Sequence, residues 1–224
     1  MIDVVRNDMK FHVEAVIFDL DGTLVDSKEA YIEAAKTAFS AFGRKLPSQN
    51  IAFEIPKRFE LGIPLDDLTQ RIDVADFSKV YLKSYYAAVA VKSKPFPRVI
   101  DTLEKLSTKS RLGLTTRRCV PKNEVMQQLS RIGLGEFFKV VITGTDTRSP
   151  KPSPESIIKC SIELDVEPRN CLVVGDSVTD VEAGKNAGAK TVAVLSGIFS
   201  LYELRKANPD LTLENVTELP DFIE

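Results

Sequence analysis

The chain has 224 residues, 43% of them hydrophobic and 28% charged, with no long polar or low-complexity tract, so intrinsic disorder is excluded and one large domain, or a core with an insert, is implied. Thirty basic residues against thirty-two acidic ones leave a formal charge of −2, and no basic stripe interleaved with aromatics marks a nucleic-acid partner. Three widely spaced cysteines, Cys119, Cys160 and Cys171, form no C-x-x-C pair, so zinc is not indicated and free thiols in a reducing compartment are expected.

The amino-terminal residues are charged, and the first apolar run is too short and wrongly flanked for a signal peptide or a membrane span, so a cytoplasmic protein without a membrane partner is expected. That run, residues 13–20, reads as a strand. Further strands are predicted over 111–116, 139–144, 171–176 and 191–196, each rich in valine, isoleucine or leucine. Helical periodicity fills the gaps at 99–109, 123–134, 154–165 and 179–188, with Gly135 and Gly188 placed to close two of them. The alternation predicts an α/β fold with a Rossmann-like parallel sheet of five strands.

Between residues 24 and 94 the rhythm breaks. Helical patterns over 26–43, 64–72 and 76–91 occur with no convincing strand, and Pro95 and Pro97 stop the last of them. This predicts an inserted helical cap domain at 24–94, with the core at 1–23 and 95–224. Tyr31, Tyr81, Tyr85 and Tyr86 fall inside the insert and are expected to pack its bundle without touching ligand. Lys57 and Arg58 lie near a turn begun by Gly62, where a basic pair either greets an anionic substrate or is plain surface.

Chemistry gathers at the strand ends. The first strand runs into Asp19-Leu20-Asp21-Gly22-Thr23, the second stops at Thr115-Thr116, the loop after the third reaches Lys151-Pro152, and the fourth stops at Gly175-Asp176-Ser177 with Asp180 one helical turn on. Ligands of open α/β sheets bind outside the carboxyl ends of the strands, so these groups converge on one crevice. A nucleophile, hard oxygen ligands for a cation, a hydroxyl donor and a fixed positive charge are what phosphoryl transfer requires. Asp180 has a second reading, as an acidic charge in the first turn of a helix, and the two are compatible. Arg117 and Arg118 follow the threonines and are expected to be solvated, and His12 to be structural or exposed.

The set D-L-D-G-T, T-T, K-P and G-D-S-x-x-D, with a helical insert directly after the first motif, resembles the haloacid dehalogenase superfamily of phosphatases over residues 13–197. The insert position is similar to the helical-cap subgroup that contains phosphoglycolate phosphatases and β-phosphoglucomutases, and LGIPLDDL at 61–68 resembles the cap of the former. The resemblance implies Asp19 as a nucleophile forming an aspartyl phosphate, Asp21 as general acid and base, Thr115 and Thr116 as substrate-binding hydroxyls, and Lys151 as the neutralising charge. It implies Mg2+ on Asp19, the backbone carbonyl of Asp21, and Asp176, with Asp180 behind them. The substrate is then a small organic phosphate ester, phosphoglycolate being one candidate, and the protein a monomer or homodimer.

Two rivals remain at this stage. A mutase-like phosphotransferase of this family carries a histidine twelve residues beyond the nucleophile, where this chain has Tyr31, which disfavours that reading. A noncatalytic binding protein on the same scaffold would have no need of Asp19, Asp21, Lys151 and Asp176 together. Halide release needs no proton, so Asp21 favours phosphate over the dehalogenation for which the superfamily is named.

Overall fold

The computed structural model describes residues 9–69 and 71–224; residues 1–8 of the expected core segment, and Gln70 of the expected helix 64–72, lie outside them. The first strand, β1 (Ala15–Phe18), is followed at once by a short β2 (Val25–Asp26). Three helices come next, α1 (Lys28–Ala41), α2 (Gln49–Leu61) and α3 (Val74–Lys92). The chain returns through β3 (Lys94–Pro95), which pairs antiparallel with β2, so the two crossings into the helical insert are joined.

From there strand and helix alternate: α4 (Val99–Ser107), β4 (Arg111–Thr115), α5 (Lys122–Arg131), β5 (Val140–Ile142), α6 (Glu155–Glu163), β6 (Cys171–Gly175), α7 (Val178–Asn186), β7 (Lys190–Val194), α8 (Leu201–Lys206) and β8 (Leu211–Leu213). The six main strands form one sheet in the order β5-β4-β1-β6-β7-β8, every pair parallel. Five strands were expected. The sixth, Leu211–Leu213, has only three residues, too few for periodicity to distinguish from loop.

This is the doubly wound order, with its switch point between β1 and β6. Alternate residues of β1 serve the two faces. Val16 and Phe18 pack with Leu103 and Leu106 of α4 and Leu129 of α5, whereas Ala15 and Ile17 pack with Ile157 and Cys160 of α6. Both faces are covered, which is why the strands read as unbroken apolar runs. The insert has a core of its own, in which Ala34, Ala38 and Phe39 of α1 meet Ile55 of α2 and Phe77 and Tyr81 of α3.

Two expectations for the insert are corrected. The segment expected as a helix at 64–72 is a turn at 66–69, and the second helix is α2, whose Ala52, Ile55 and Phe59 keep helical spacing across an internal Pro56. Lys57 and Arg58 are thus helical and not in a polar turn. Neither is free: Lys57 Nζ pairs with Glu203 of α8 at 2.9 Å, and Arg58 is held by Glu54 and Asp67. Leu103 is fully buried against the sheet, so Leu103→Ala should cost about 2–5 kcal/mol of unfolding free energy, read from urea denaturation.

Candidate active site

The carboxyl ends of β1, β4 and β6 lie side by side, so Asp19, Thr115 and Asp176 are neighbours because of sheet order alone. Lys151, from the loop after β5, reaches in above them. Its ammonium donates to Asp19 Oδ1 at 2.9 Å, to Asp180 Oδ1 at 2.7 Å and to the Thr115 carbonyl at 3.0 Å. Lys151 is 3% exposed; burial pushes its pKa down, but Asp180 and Asp19 outweigh this and keep it charged. The helix-turn reading of Asp180 holds, since one oxygen closes the capping box of α7 with Ser177, while the other pairs with Lys151.

Asp176 accepts from Thr23 Oγ1 at 3.2 Å and is wedged between two glycines. A Cβ at Gly22, whose φ is +83°, or at Gly197 would collide with the Asp176 carboxylate, so both positions need the missing side chain. Carboxylate oxygens of Asp19, Asp176 and Asp180 lie within 4.8 Å of one another. Burial raises the pKa of Asp19 and Asp176 well above the usual range; at Asp19 it outweighs the pull of Lys151 with added repulsion from Asp180, and at Asp176 repulsion from Asp19 and Asp180 adds to it. Hard oxygen donors in surplus over the nearby positive charge are the donor set of a small divalent cation, so the residues present fit Mg2+.

Asp21, the second carboxylate of the motif, is held apart from that cluster. Arg118 grips it with two nitrogens, Nε to Oδ2 at 2.7 Å and Nη2 to Oδ1 at 2.6 Å. Arg118 is 4% exposed and also donates to Gln128, so the expectation that it is solvated is corrected. Burial alone would raise the Asp21 carboxyl; the Arg118 guanidinium, with hydrogen bonds from Ser27 and Tyr85, outweighs it and holds the carboxyl below the usual range. Ser27 precedes α1 without capping it, its hydroxyl being spent on Asp21 and on Ser93 Oγ at 3.0 Å.

The sequence profile of the haloacid dehalogenase-like hydrolases matches residues 16–194, the span that carries all of these side chains, with Gly197 just beyond it. The chain belongs to that family. Among its relatives, the pyrophosphatase PpaX of Anoxybacillus flavithermus is 32% identical over 93% of this chain and 95% of its own. The phosphoglycolate phosphatase of Aquifex aeolicus is 29% identical over 95% of this chain and 97% of its own. A haloacid dehalogenase-like family hydrolase from Streptococcus pneumoniae has the same fold, with a TM-score of 0.77 at 23% identity over 93% of this chain and 97% of that one. The enzyme is thus a phosphatase, and no helix among the described residues is long and apolar enough to cross a membrane.

Beside Asp19 and Asp21 the hydrolase has an open cavity of about 230 Å³, lined largely by residues of the insert. Tyr31, Tyr81, Tyr85 and Tyr86 all line it, which corrects the expectation that they serve the bundle alone; Tyr81 and Tyr85 do both. Thr116 lines the opening, its Oγ1 accepting from the Arg118 amide at 3.3 Å. Arg117 is engaged by the carbonyls of Lys151 and Phe59. Glu60 of α2 was not foreseen. It accepts from Thr179 Oγ1 at 3.3 Å, and burial followed by repulsion from Asp180 pushes its pKa up to about 7 against the pull of Arg117, Ser177 and Lys151. Its one sequence signal was the helical spacing of α2, masked by Pro56.

Glu60 sets a pH dependence of stability. Its folded pKa exceeds its unfolded one, so the unfolded chain loses the proton first and stability falls as pH rises from about 4.5 to about 7. Urea midpoints in EDTA across that window should fall less steeply in Glu60→Gln than in the wild type; identical slopes would mean that Glu60 ionises normally.

Proposed function

We propose that this phosphatase hydrolyses small phosphate monoesters by way of a phosphoryl group carried on Asp19, with Mg2+ as its cofactor. The observation that carries the reading is the buried Lys151 ammonium, which meets Asp19 Oδ1 at 2.9 Å and the Thr115 carbonyl at 3.0 Å where the strands end. A fixed positive charge there can hold the oxygens of a phosphoryl group as it passes to Asp19.

Asp19 attacks phosphorus through the oxygen that Lys151 leaves free, and the ester P–O bond breaks. The leaving oxygen takes a proton from Asp21, which then removes one from the water that cleaves the aspartyl phosphate and restores Asp19. Lys151 and Thr115 hold the oxygens of the transferring group, and Thr116 offers a further hydroxyl at the opening. Mg2+ would sit on Asp19, the Asp21 carbonyl and Asp176, and would supply the positive charge that lets a phosphate dianion approach so many carboxylates. Arg118 favours the ionised form of Asp21, which suits the water-activating step; leaving groups that depart without a proton, such as aryl alcohols, should react faster than alkyl ones. Tyr31, stacked on Tyr85 at 5.3 Å, gives a mutase reading no support.

Removal of metal with excess EDTA should lower the hydrolysis of 4-nitrophenyl phosphate by at least ~100-fold, with recovery on adding Mg2+. Full activity in EDTA would end the metal assignment.

Asp21→Asn separates the two steps, since it keeps the backbone carbonyl but removes the transferable proton. In stopped flow with 4-nitrophenyl phosphate it should release about one nitrophenol per site and then nearly stop, because breakdown of the intermediate lacks its base. Asp19→Asn should give no burst. Wild-type turnover by the first variant, or a burst from the second, would overturn the roles given to these two carboxylates.

A further inference from the structure

Gln128 stands where the packing alone would take an apolar side chain. Its neighbours on the inner face of α5, Val125 and Leu129, are buried in the main core, and Gln128 itself is 7% exposed. A buried amide destabilises a fold unless both of its ends are bonded. Here both are. Oε1 accepts from Nη1 of Arg118, and Nε2 donates to the Val89 carbonyl of α3 at 2.8 Å. A guanidinium can only donate and a carbonyl can only accept, so one orientation of the amide satisfies both. Gln128 is not among the residues that line the cavity beside Asp19 and Asp21, so any part it has in the reaction is played through Arg118.

Arg118 needs a holder of this kind. It extends from the loop after β4 with Nε and Nη2 on Asp21, and space opens beyond it. A second cavity, of about 560 Å³ between α3 and α5, is lined by Arg118, Gln128 and Tyr86, and its wall includes the exposed Glu124. Packing alone therefore does not keep the guanidinium on Asp21: it has room to turn, and a second carboxylate to turn to. Two nitrogens on one carboxylate fix the plane of the pair, and a third bond to a helix anchored in the core fixes where that pair stands. The same bond closes a circuit. The Val89 carbonyl also accepts from the Ser93 amide at 3.4 Å, Ser93 Oγ lies 3.0 Å from Ser27 Oγ, and Ser27 donates to Asp21 Oδ1. Asp21 is thus reached from two sides by bonds that meet in residues 89–93.

We propose that Gln128 is a positioning residue for Asp21: it holds Arg118 on that carboxylate and away from Glu124, and so keeps Asp21 where it can exchange protons with the leaving oxygen and with water. This rests on the role given to Asp21 above and goes beyond it, because it places part of the proton-transfer geometry in a side chain outside the cavity.

The test uses Gln128→Met, which keeps the length of the side chain and removes both bonds, with Glu124→Gln beside it. With enzyme in excess over 4-nitrophenyl phosphate, nitrophenol release follows attack by Asp19, and phosphate release follows breakdown of the intermediate. In Gln128→Met the first should stay within about twofold of wild type and the second should slow about tenfold, the size of one hydrogen bond to a charged group. Glu124→Gln alone should match wild type, and added to Gln128→Met it should restore most of the lost rate. Equal slowing of both releases, which a merely structural role would give, unchanged phosphate release, or no rescue by Glu124→Gln would each overturn the proposal. Should wild type turn over no ester, or Asp21→Asn release phosphate at the wild-type rate, the reading of the site fails instead. A crystal structure of Gln128→Met then decides this proposal, Arg118 turned from Asp21 toward Glu124 supporting it and both nitrogens still on Asp21 refuting it.

Discussion

Lys151 places one ammonium group 2.9 Å from Asp19 and 2.7 Å from Asp180 in a pocket nearly closed to water. Burying any of these three charges alone would cost several kcal/mol, and together they are tolerable because each is the others' partner. The balance is incomplete, however. Asp19, Asp21, Asp176 and Asp180 bring four carboxylates to the strand ends, and Lys151 and Arg118 are the two cations that answer them by direct contact. The remaining negative charge explains why burial and repulsion raise Asp19 and Asp176 so far, and it is what a divalent cation would neutralise.

The fold makes this crowding possible without strain in the sheet. With β1 between β4 and β6, Asp19 at the end of β1 has Thr115 on one side and Asp176 on the other. The lysine arrives from beyond the next strand, β5. Each strand is apolar on both faces and so anchored by α4 and α5 beneath one side and α6 and α7 beneath the other, and only its last residue is available for chemistry. Gly22 and Gly197 then let two backbone segments close on Asp176, which leaves that carboxylate little freedom to turn away.

Legibility in the sequence divided along a physical line. Asp19, Asp21, Thr115, Thr116, Lys151, Asp176 and Asp180 were visible because each follows an apolar run whose end could be located, and the sheet brings such ends together whatever lies between. Arg118 was invisible for the opposite reason: its partner is 97 residues away, and an arginine in a loop is ordinarily solvated. Glu60 was hidden with its helix, since Pro56 interrupts the pattern that would have disclosed α2. The tyrosines were located but misjudged, because periodicity shows which residues share a helix face and not whether that face ends at a bundle core or at a cavity.

The two motif carboxylates therefore depend on different parts of the molecule. Asp19 is fixed by Lys151 and the sheet, all of it core. Asp21 takes Arg118 from the loop after β4, Ser27 from the start of the insert and Tyr85 from α3, and Ser27 in turn meets Ser93 across the paired crossings β2 and β3. Gln128 extends the same network, accepting from Arg118 and donating to the Val89 carbonyl of α3 at 2.8 Å. The contacts of Asp19 are thus all within the core, whereas those of Asp21 draw on the insert as well. α1 and α3 also supply Tyr31, Tyr81, Tyr85 and Tyr86 to the cavity wall, so the helices that line the cavity are those that help to hold Asp21. On the roles proposed for Asp19 and Asp21, selectivity and acid–base chemistry would be two consequences of one geometry, and a poorly fitting ester would forfeit both together.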